Sequence, residues 1–340
     1  MRLDELLSTT TNKMMVENYS HETIVSYTLA IKSFFNYLSL HPESVGLDHT
    51  KRMEAFLTWR VVEDDISAST QNVEFSALLY LGRSVLGVEI GKVDALRARR
   101  RERIPHIINP SQVALLLDAL PDEYKLIARL LYGAGLRINE CLNLRIKDVD
   151  FSMRKLIVHE GKGDKDGIVP MPSTLIDDMH RQAESALEIW KVDRYHNYNG
   201  VSLPHALERK YPNAPTSKDW FWFFPNPSLG LDHDGVQRRF HVYDFSVQKA
   251  FVLTRRKLGL PEFVSPHAMR HFFATHFLQH LLEQGIPESM ARHTLMGYLR
   301  HASPETMDWY VHLAMPEHPM IKSPMDLLNE NRFKLSNSVG

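Results

Sequence analysis

Residues 265–312 read SPHAMRHFFATHFLQHLLEQGIPESMARHTLMGYLRHASPETMDWYVH. His267 is followed three residues on by Arg270. His301 follows, and Tyr310 stands nine residues after it. A tyrosine hydroxyl among guanidinium and imidazole groups is a nucleophile suited to a phosphate centre. The same stretch also permits a metal reading, because His267 and His271 are four apart and His276 is near. A zinc hydrolase needs glutamate directly after the first histidine, where Ala268 stands, and Arg270 would repel a cation. The rest of the chain must therefore supply a second arginine, a proton donor and a grip on the substrate.

Composition narrows the classes. The 340 residues give room for two domains, and 44% hydrophobic with 24% charged residues is a soluble globular balance. A net charge of -1 does not advertise a nucleic-acid binder, but a local basic patch is enough to track phosphates. With no apolar run of about 18 residues, no membrane span is expected. The N-terminus MRLDELLSTTTNKMM has no apolar core of a signal peptide. Cys141 is the only cysteine, so disulfides and a cysteine zinc site are excluded and a reducing cytosol fits. No cofactor and no metal are expected, and the sequence has no phosphate-binding GxxxxGK[ST] loop.

Working upstream, residues 1–92 read as helical. Ser20 caps a helix with Ile24, Tyr27, Ile31, Phe34, Phe35 and Leu38 on its apolar face. Met53, Phe56 and Leu57 mark a second, and Ser69 is the expected cap of a third carrying Val73, Leu78 and Leu81. Residues 93–109 form a basic linker in which Arg97, Arg99, Arg100, Arg101 and Arg103 crowd together before Pro105. Such a run is either a solvated connector or a contact to a phosphate backbone. Asn109-Pro110 starts the next helix. Gly135 ends the one after, and Arg137 opens a helix with Glu140 whose apolar face runs through Leu142, Leu144, Ile146 and Val149. A hairpin follows, with strands at Lys155–His159 and Gly167–Met171 and the turn Gly161-Lys162-Gly163-Asp164 between them. A long helix from Ser173 to Tyr195 leads into an irregular, aromatic-rich region at 197–245. There DWFWFFP (Asp219–Pro225) reads as a strand with Trp220 and Trp222 on one face, and QRRFH (Gln237–His241) as a basic stretch beside it. Exposed rings next to Arg238, Arg239 and His241 suit stacking on unpaired bases.

These parts assemble into one chemistry. A phosphodiester under attack needs its non-bridging oxygens held, and guanidinium forks do this best. Arg137 and Arg270 are the candidates. Lys162, with glycine on both sides to let the tip project, is preferred to Lys165 as donor to the leaving oxygen. His267 and His301 can hold phosphate and manage protons near neutral pH.

Gly-Leu-Arg-x-x-Glu (Gly135–Glu140), the GKG turn, His-x-x-Arg-His-x-x-Ala-Thr-His (His267–His276) and His301 with Tyr310 nine later together resemble the tyrosine recombinase family. The resemblance implies a mainly α fold with a small β-sheet (α+β). In it a helical core-binding, SAM-like DNA-binding domain (1–92) precedes a tyrosine-recombinase catalytic domain (110–340). It also implies Arg137, Lys162, His267, Arg270, His301 and Tyr310 as catalytic residues, strand exchange through a 3′-phosphotyrosine and a Holliday junction, and a homotetramer in the synapse on DNA. The run NYNGVSLPHALERKYPNAP (Asn197–Pro215), the tryptophan-rich segment and QRRFH resemble the extra segment of integron integrases, here an insertion at about 194–245. That narrower resemblance implies integration and excision of gene cassettes, with duplex attachment sites and folded single-stranded cassette hairpins as partners. Trp220 and His241 would then be base-stacking groups. Localisation would be cytoplasmic and nucleoid-associated, with no membrane. The alternatives are a phage- or transposon-type enzyme on duplex sites and a degenerate DNA-binding relic. The sequence departs from the family at Arg300, where glycine is usual, and in a longer stretch between His276 and His301. The tail Lys322–Leu328 resembles the family's terminal segment that docks into a neighbouring protomer.

Overall fold

The computed structural model describes residues 2–17, 19–98, 106–159, 166–203, 205–232, 234–300, 307, 308, 310, 311 and 314. The chain divides into two units, residues 1–103 and 104–340.

The first unit is helical: α1 (Leu3–Val16), α2 (His21–Leu40), α3 (His49–Val62) and α4 (Ala68–Tyr80), with a wider turn at Leu81–Val85. Each start after α1 has a side-chain cap that satisfies an end amide. Ser20 accepts from the Thr23 amide at 3.3 Å, Asp48 from Lys51 at 2.8 Å, and Ser67 from Thr70 at 3.1 Å. The third cap is thus Ser67 and not Ser69, because the chain is extended at Ser67 and helical from Ala68. Ile31, Phe34, Phe56, Leu57 and Leu78 meet in the core, while Val73 points outward.

The second unit begins with α5 (Pro110–Ala119), capped by Asn109, then α6 (Asp122–Gly133) and α7 (Ile138–Leu142). Gly135 joins α6 to α7 at φ +63°, and a β-carbon there would stand 2.5 Å from the Phe273 ring, so only glycine fits both demands. α7 is shorter than its apolar pattern predicts. Beyond Leu142 the backbone pairs with the aromatic run instead: the Phe223 amide donates to the Leu144 carbonyl at 2.8 Å, and the Ile146 amide to that of Phe221 at 3.0 Å. A small antiparallel sheet follows, in the order β1 (Val149–Asp150), β2 (Lys155–Val158), β3 (Gly167–Pro170), with Val158 opposite Gly167 at its outer end.

α8 (Ile176–Tyr195) leads into the insertion, which is more regular than the sequence predicts. It carries α9 (His205–Lys210) and a hairpin of β4 (Pro225–Leu231) and β5 (Gln237–His241). Its buried core is Val201, Leu203, Ala214, Phe221 and Trp222. The unit continues with α10 (Asp244–Lys257), α11 (Pro266–Glu283) and α12 (Glu288–Leu299). The main core collects α5, α6, α10 and α11 with Phe223 and Phe224, and Cys141 is a fully buried part of it. Among the described residues, no helix is long and apolar enough to cross a membrane.

Candidate active site

α11 starts where the Ser265 hydroxyl accepts from the Ala268 amide at 3.3 Å. This fixes His267, Arg270 and His271 along one face in the first turns. Arg270 is locked by two carbonyls from distant elements, donating to Gly135 at 2.6 Å and Leu299 at 2.7 Å. Arg137 sits at the cap of α7, and Glu140 turns back to accept from the Arg137 amide at 2.7 Å and from its guanidinium at 2.6 Å. The same carboxylate lies 3.6 Å from Arg270 and forms an ion pair with Arg300. One buried carboxylate therefore holds three guanidinium groups.

Among the described residues, three guanidinium groups surround this one carboxylate. Burial alone would raise the Glu140 carboxyl, but Arg300, the Arg137 amide and Arg270 outweigh it and hold the group below the usual carboxylate range. Arg270 is pushed down to about 10, first by burial and then by neighbouring Arg137, and so stays charged at neutral pH. The Arg137 side chain is 42% exposed, which leaves it reachable by a phosphate from outside.

Tyr310 enters from the far end of the chain. It is 3% exposed and packs with Phe273, Ala274, Leu278, Leu295, Leu299 and Met307. The Arg292 guanidinium, on α12, donates to Asp308 at 2.6 Å and tethers the helical residues that carry it. The Tyr310 hydroxyl lies 2.9 Å from Nδ1 of His271. Burial raises the phenol, while Arg270 and Arg137 pull it back. His271 is pushed below its usual range by burial, then by Arg270 and His267, so its imidazole is neutral at pH 7 and Nδ1 can accept the phenolic proton.

Arg137, Arg270 and Tyr310 thus meet in one place, with the exposed His267 on the same helix end. Lys162 and His301 lie outside the described residues, as do Lys165, Arg99, Arg100, Arg101, Arg103 and the tail 322–328. Arg97 is exposed and lies over the Phe75 ring at 5.3 Å. His271 is the residue that sequence reasoning missed as a partner of the tyrosine. Its place directly after Arg270 and four after His267 was visible, but read only as a metal spacing. Arg300 adopts φ +61°, a backbone state suited to glycine, and in doing so brings its side chain onto Glu140. Among the described residues, no three His, Cys, Asp or Glu side chains are grouped to hold a metal.

The insertion corrects two expectations. The aromatic run is not a strand with an exposed face: Phe221, Trp222, Phe223 and Phe224 are all buried, and Trp220 alone is half-exposed. Trp222 is covered by the Arg145 guanidinium at 3.6 Å, and Lys147 sits over Trp220 at 3.4 Å. Arg145, unnoticed in the sequence, is a buried clamp that also donates to the Trp220 carbonyl at 2.6 Å. Arg239, expected as an exposed basic residue, is buried. Its guanidinium is enclosed by Asp193 at 2.5 and 2.9 Å and by the carbonyls of Asn226 and Pro227. Arg238 is likewise engaged, with Asp232 at 2.7 Å and Glu208 at 2.9 Å. His241 is half-buried, edge-on to Trp222 at 4.9 Å, with Nδ1 2.7 Å from the Val242 carbonyl.

A helical chain that gathers two arginines and a buried tyrosine hydroxyl around a neutral imidazole has the makings of a phosphoryl-transfer enzyme with a protein nucleophile. Comparison with known proteins agrees. Residues 106–317 match the phage integrase family and residues 6–92 the SAM-like N-terminal domain of phage integrases. An integrase/recombinase of Escherichia coli is 35% identical over 92% of this chain and 90% of its own length. Tyrosine recombinase XerA of Thermococcus kodakarensis is 30% identical over 79% of this chain and 86% of its own. In fold, the chain resembles XerH site-specific recombinase bound to difH substrate in a pre-cleavage complex (TM-score 0.56, 19% identity, 95% of this chain and 85% of that one). It also resembles the Tn1549 transposon integrase in complex with transposon right-end DNA (TM-score 0.54, 17% identity, 99% and 100%). The chain belongs to the phage integrase family, the tyrosine recombinases, and is an enzyme that breaks and rejoins DNA strands.

Proposed function

We propose that Tyr310 attacks the scissile phosphate, and the observation that carries this is the Tyr310 hydroxyl held 2.9 Å from a neutral His271 beside Arg270. The Tyr310 oxygen forms a bond to phosphorus as the bond to the 5′ oxygen breaks. The phenolic proton passes to His271, and Lys162 supplies a proton to the departing 5′ oxygen. Arg137 and Arg270, with His267 and His301, hold the non-bridging oxygens as charge develops. The resulting 3′-phosphotyrosine keeps the bond energy, so a second 5′-hydroxyl reverses the step without ATP or metal. A homotetramer on DNA, passing through a Holliday junction, would exchange strands in this way in the cytoplasm.

In the finer reading the chain is an integron-type integrase acting on duplex attachment sites and folded single-stranded cassette hairpins. Supporting it is the insertion, an ordered element with its own core and a half-exposed Trp220 beside Lys147. A flat ring next to a cation suits an extrahelical base next to its phosphate. A phage- or transposon-type enzyme on duplex sites shares the same active site and needs no such platform. Incubation with a suicide-nicked site should give a detergent-resistant protein–DNA adduct that Tyr310→Phe abolishes; persistence of the adduct would remove the nucleophile assignment. A bottom-strand hairpin should bind more tightly than its perfect duplex, and Trp220→Ala should cost about 1–3 kcal/mol on the hairpin alone. Equal loss on both substrates would favour the duplex reading.

A further inference from the structure

Tyr310 lies on a helical stretch whose inner face is apolar. Met307, Tyr310, Val311 and Ala314 recur at the three-and-four spacing of one helix face, and the first three are at most 5% exposed. They cluster with Phe273, Ala274 and Leu278 of α11 and with Ala291, Leu295 and Leu299 of α12. Apolar burial is strong but non-directional, so it holds the stretch down without fixing how far it slides or turns. Directional contacts have to do that. Among the described residues, two side-chain hydrogen bonds tie this stretch to the rest of the chain. One joins the Tyr310 hydroxyl to His271, and the other joins Asp308 to Arg292.

Asp308 sits on the outer face, two residues before Tyr310. Arg292 on α12 donates from Nε to Glu288 Oε1 at 2.7 Å and from Nη1 to Asp308 Oδ1 at 2.6 Å. Glu288, one turn back on the same helix, therefore holds one edge of the guanidinium while another edge grips Asp308. The fork is planar and rigid, so anchoring one edge to α12 narrows where the carboxylate of Asp308 can go. The backbone that carries Tyr310 is narrowed with it. The three side chains are 30% (Arg292), 42% (Glu288) and 57% (Asp308) exposed, so water and salt reach them. Exposed pairs of this kind shift an equilibrium by about fivefold at most. The contact is therefore too weak to hold the fold together, and strong enough to choose between nearby placements of one stretch.

We propose that Arg292 is a positioning residue: with Glu288 and Asp308 it forms a salt-sensitive latch that favours the placement in which the Tyr310 hydroxyl meets His271. This rests on the reading of Tyr310 as the nucleophile. Single-turnover cleavage of a suicide substrate at saturating protein tests it, with DNA affinity measured alongside. Arg292→Ala and Asp308→Asn remove opposite charges, yet each should slow cleavage by about three- to fivefold and leave DNA affinity within about twofold of wild type. The double variant should be no slower than the slower single, because one shared interaction is lost only once. Arg292→Lys keeps a cation within reach of Asp308 and should restore most of the lost rate. In the DNA-free protein, hydrogen exchange over residues 307–311 should quicken in Arg292→Ala. Wild type should approach that variant at about 1 M salt, where the screening length falls to about 3 Å. Slowing by Arg292→Ala alone, with weaker DNA binding, would make Arg292 a phosphate contact and overturn the inference. Losses that add in the double variant, or wild-type rates in both singles, also overturn it. An adduct that survives Tyr310→Phe removes the nucleophile reading, and the inference with it.

Discussion

Replacing Arg300 by glycine, which suits its φ of +61°, tests the charge argument at the site. Two effects oppose each other in stability. A side chain at φ +61° costs about 1–2 kcal/mol that glycine releases. Losing the ion pair to Glu140, with both side chains under 10% exposed at 6% and 8%, costs about 1.5–3 kcal/mol. The melting temperature should therefore drop only slightly, since Glu140 keeps Arg137 and Arg270. Catalysis should suffer more. Among the described residues three guanidinium groups face one carboxylate, and the variant removes one of those positive charges. A charge about 7 Å from a phosphate that gains one negative charge contributes about 2 kcal/mol at an effective dielectric of about 20. Single-turnover cleavage of a suicide substrate should then slow by about 30-fold. Arg300→Lys, which restores a positive charge beside Glu140, should recover most of that rate. Cleavage by Arg300→Gly at the wild-type rate would refute the reasoning and make Arg300 a bystander to chemistry.

Three further outcomes follow from particular contacts. Gly135→Ala should destabilise the chain by about 2–4 kcal/mol in thermal melts, since the new methyl meets the Phe273 ring at 2.5 Å in a backbone state that alanine resists. Asp193→Ala should cost about 3–5 kcal/mol by denaturant titration, because it strands the buried Arg239 cation in the insertion, and unchanged stability would show that the insertion does not rely on that pair. His271 has a lowered folded value, so it contributes stability that is fully present above about pH 6.5 and is lost as pH falls from there through the lowered value. In cleavage, the rate should rise with pH through the same lowered value, and His271→Gln should flatten that limb.

Much of this was legible because it depends on local chemistry. Ser20 and Asn109-Pro110 announce helix starts whose partners lie within four residues, and each forms as written. Gly135 marks the end of a helix in the sequence, and the chain there takes the left-handed conformation that glycine allows. The misreadings arose where distant backbone decides. Leu144 and Ile146 continue a helical pattern, but their backbone groups are claimed by Phe221 and Phe223, some 75 residues on. The alternation assigned to Trp220–Phe224 presumes a strand, and the run is irregular because it must bury four rings at once. Arg238 and Arg239 look like a basic patch until Asp193, Glu208 and Asp232 are folded against them. The site was half legible. Arg137, Arg270 and Tyr310 stand out by type and order, whereas the Tyr310–His271 pair spans 39 residues and joins two groups that no local spacing relates.

That pair bears on how the proposed reaction is timed. Without DNA, Arg270 and Arg137 favour the phenolate of Tyr310, and Arg270 disfavours the protonated form of His271. The arginine field therefore eases loss of the phenolic proton while making the adjacent imidazole a poor recipient for it. A phosphodiester settling on these arginines brings a negative charge that offsets their field at both groups. The phenol then holds its proton more tightly, which would stall an attack that relied on free phenolate. His271 becomes a stronger base at the same moment, because the repulsion that depressed it is reduced, and it lies at 2.9 Å from the hydroxyl. One charge thus moves both partners in the same direction, and the proton transfer between them stays close to balanced whether the site is empty or filled. Burial of Tyr310 among Phe273, Leu295 and Leu299 keeps water from competing for that proton. The hydroxyl is therefore activated by its histidine at the phosphate and not by ionisation beforehand, so a buried tyrosine with a raised pKa is compatible with a working nucleophile.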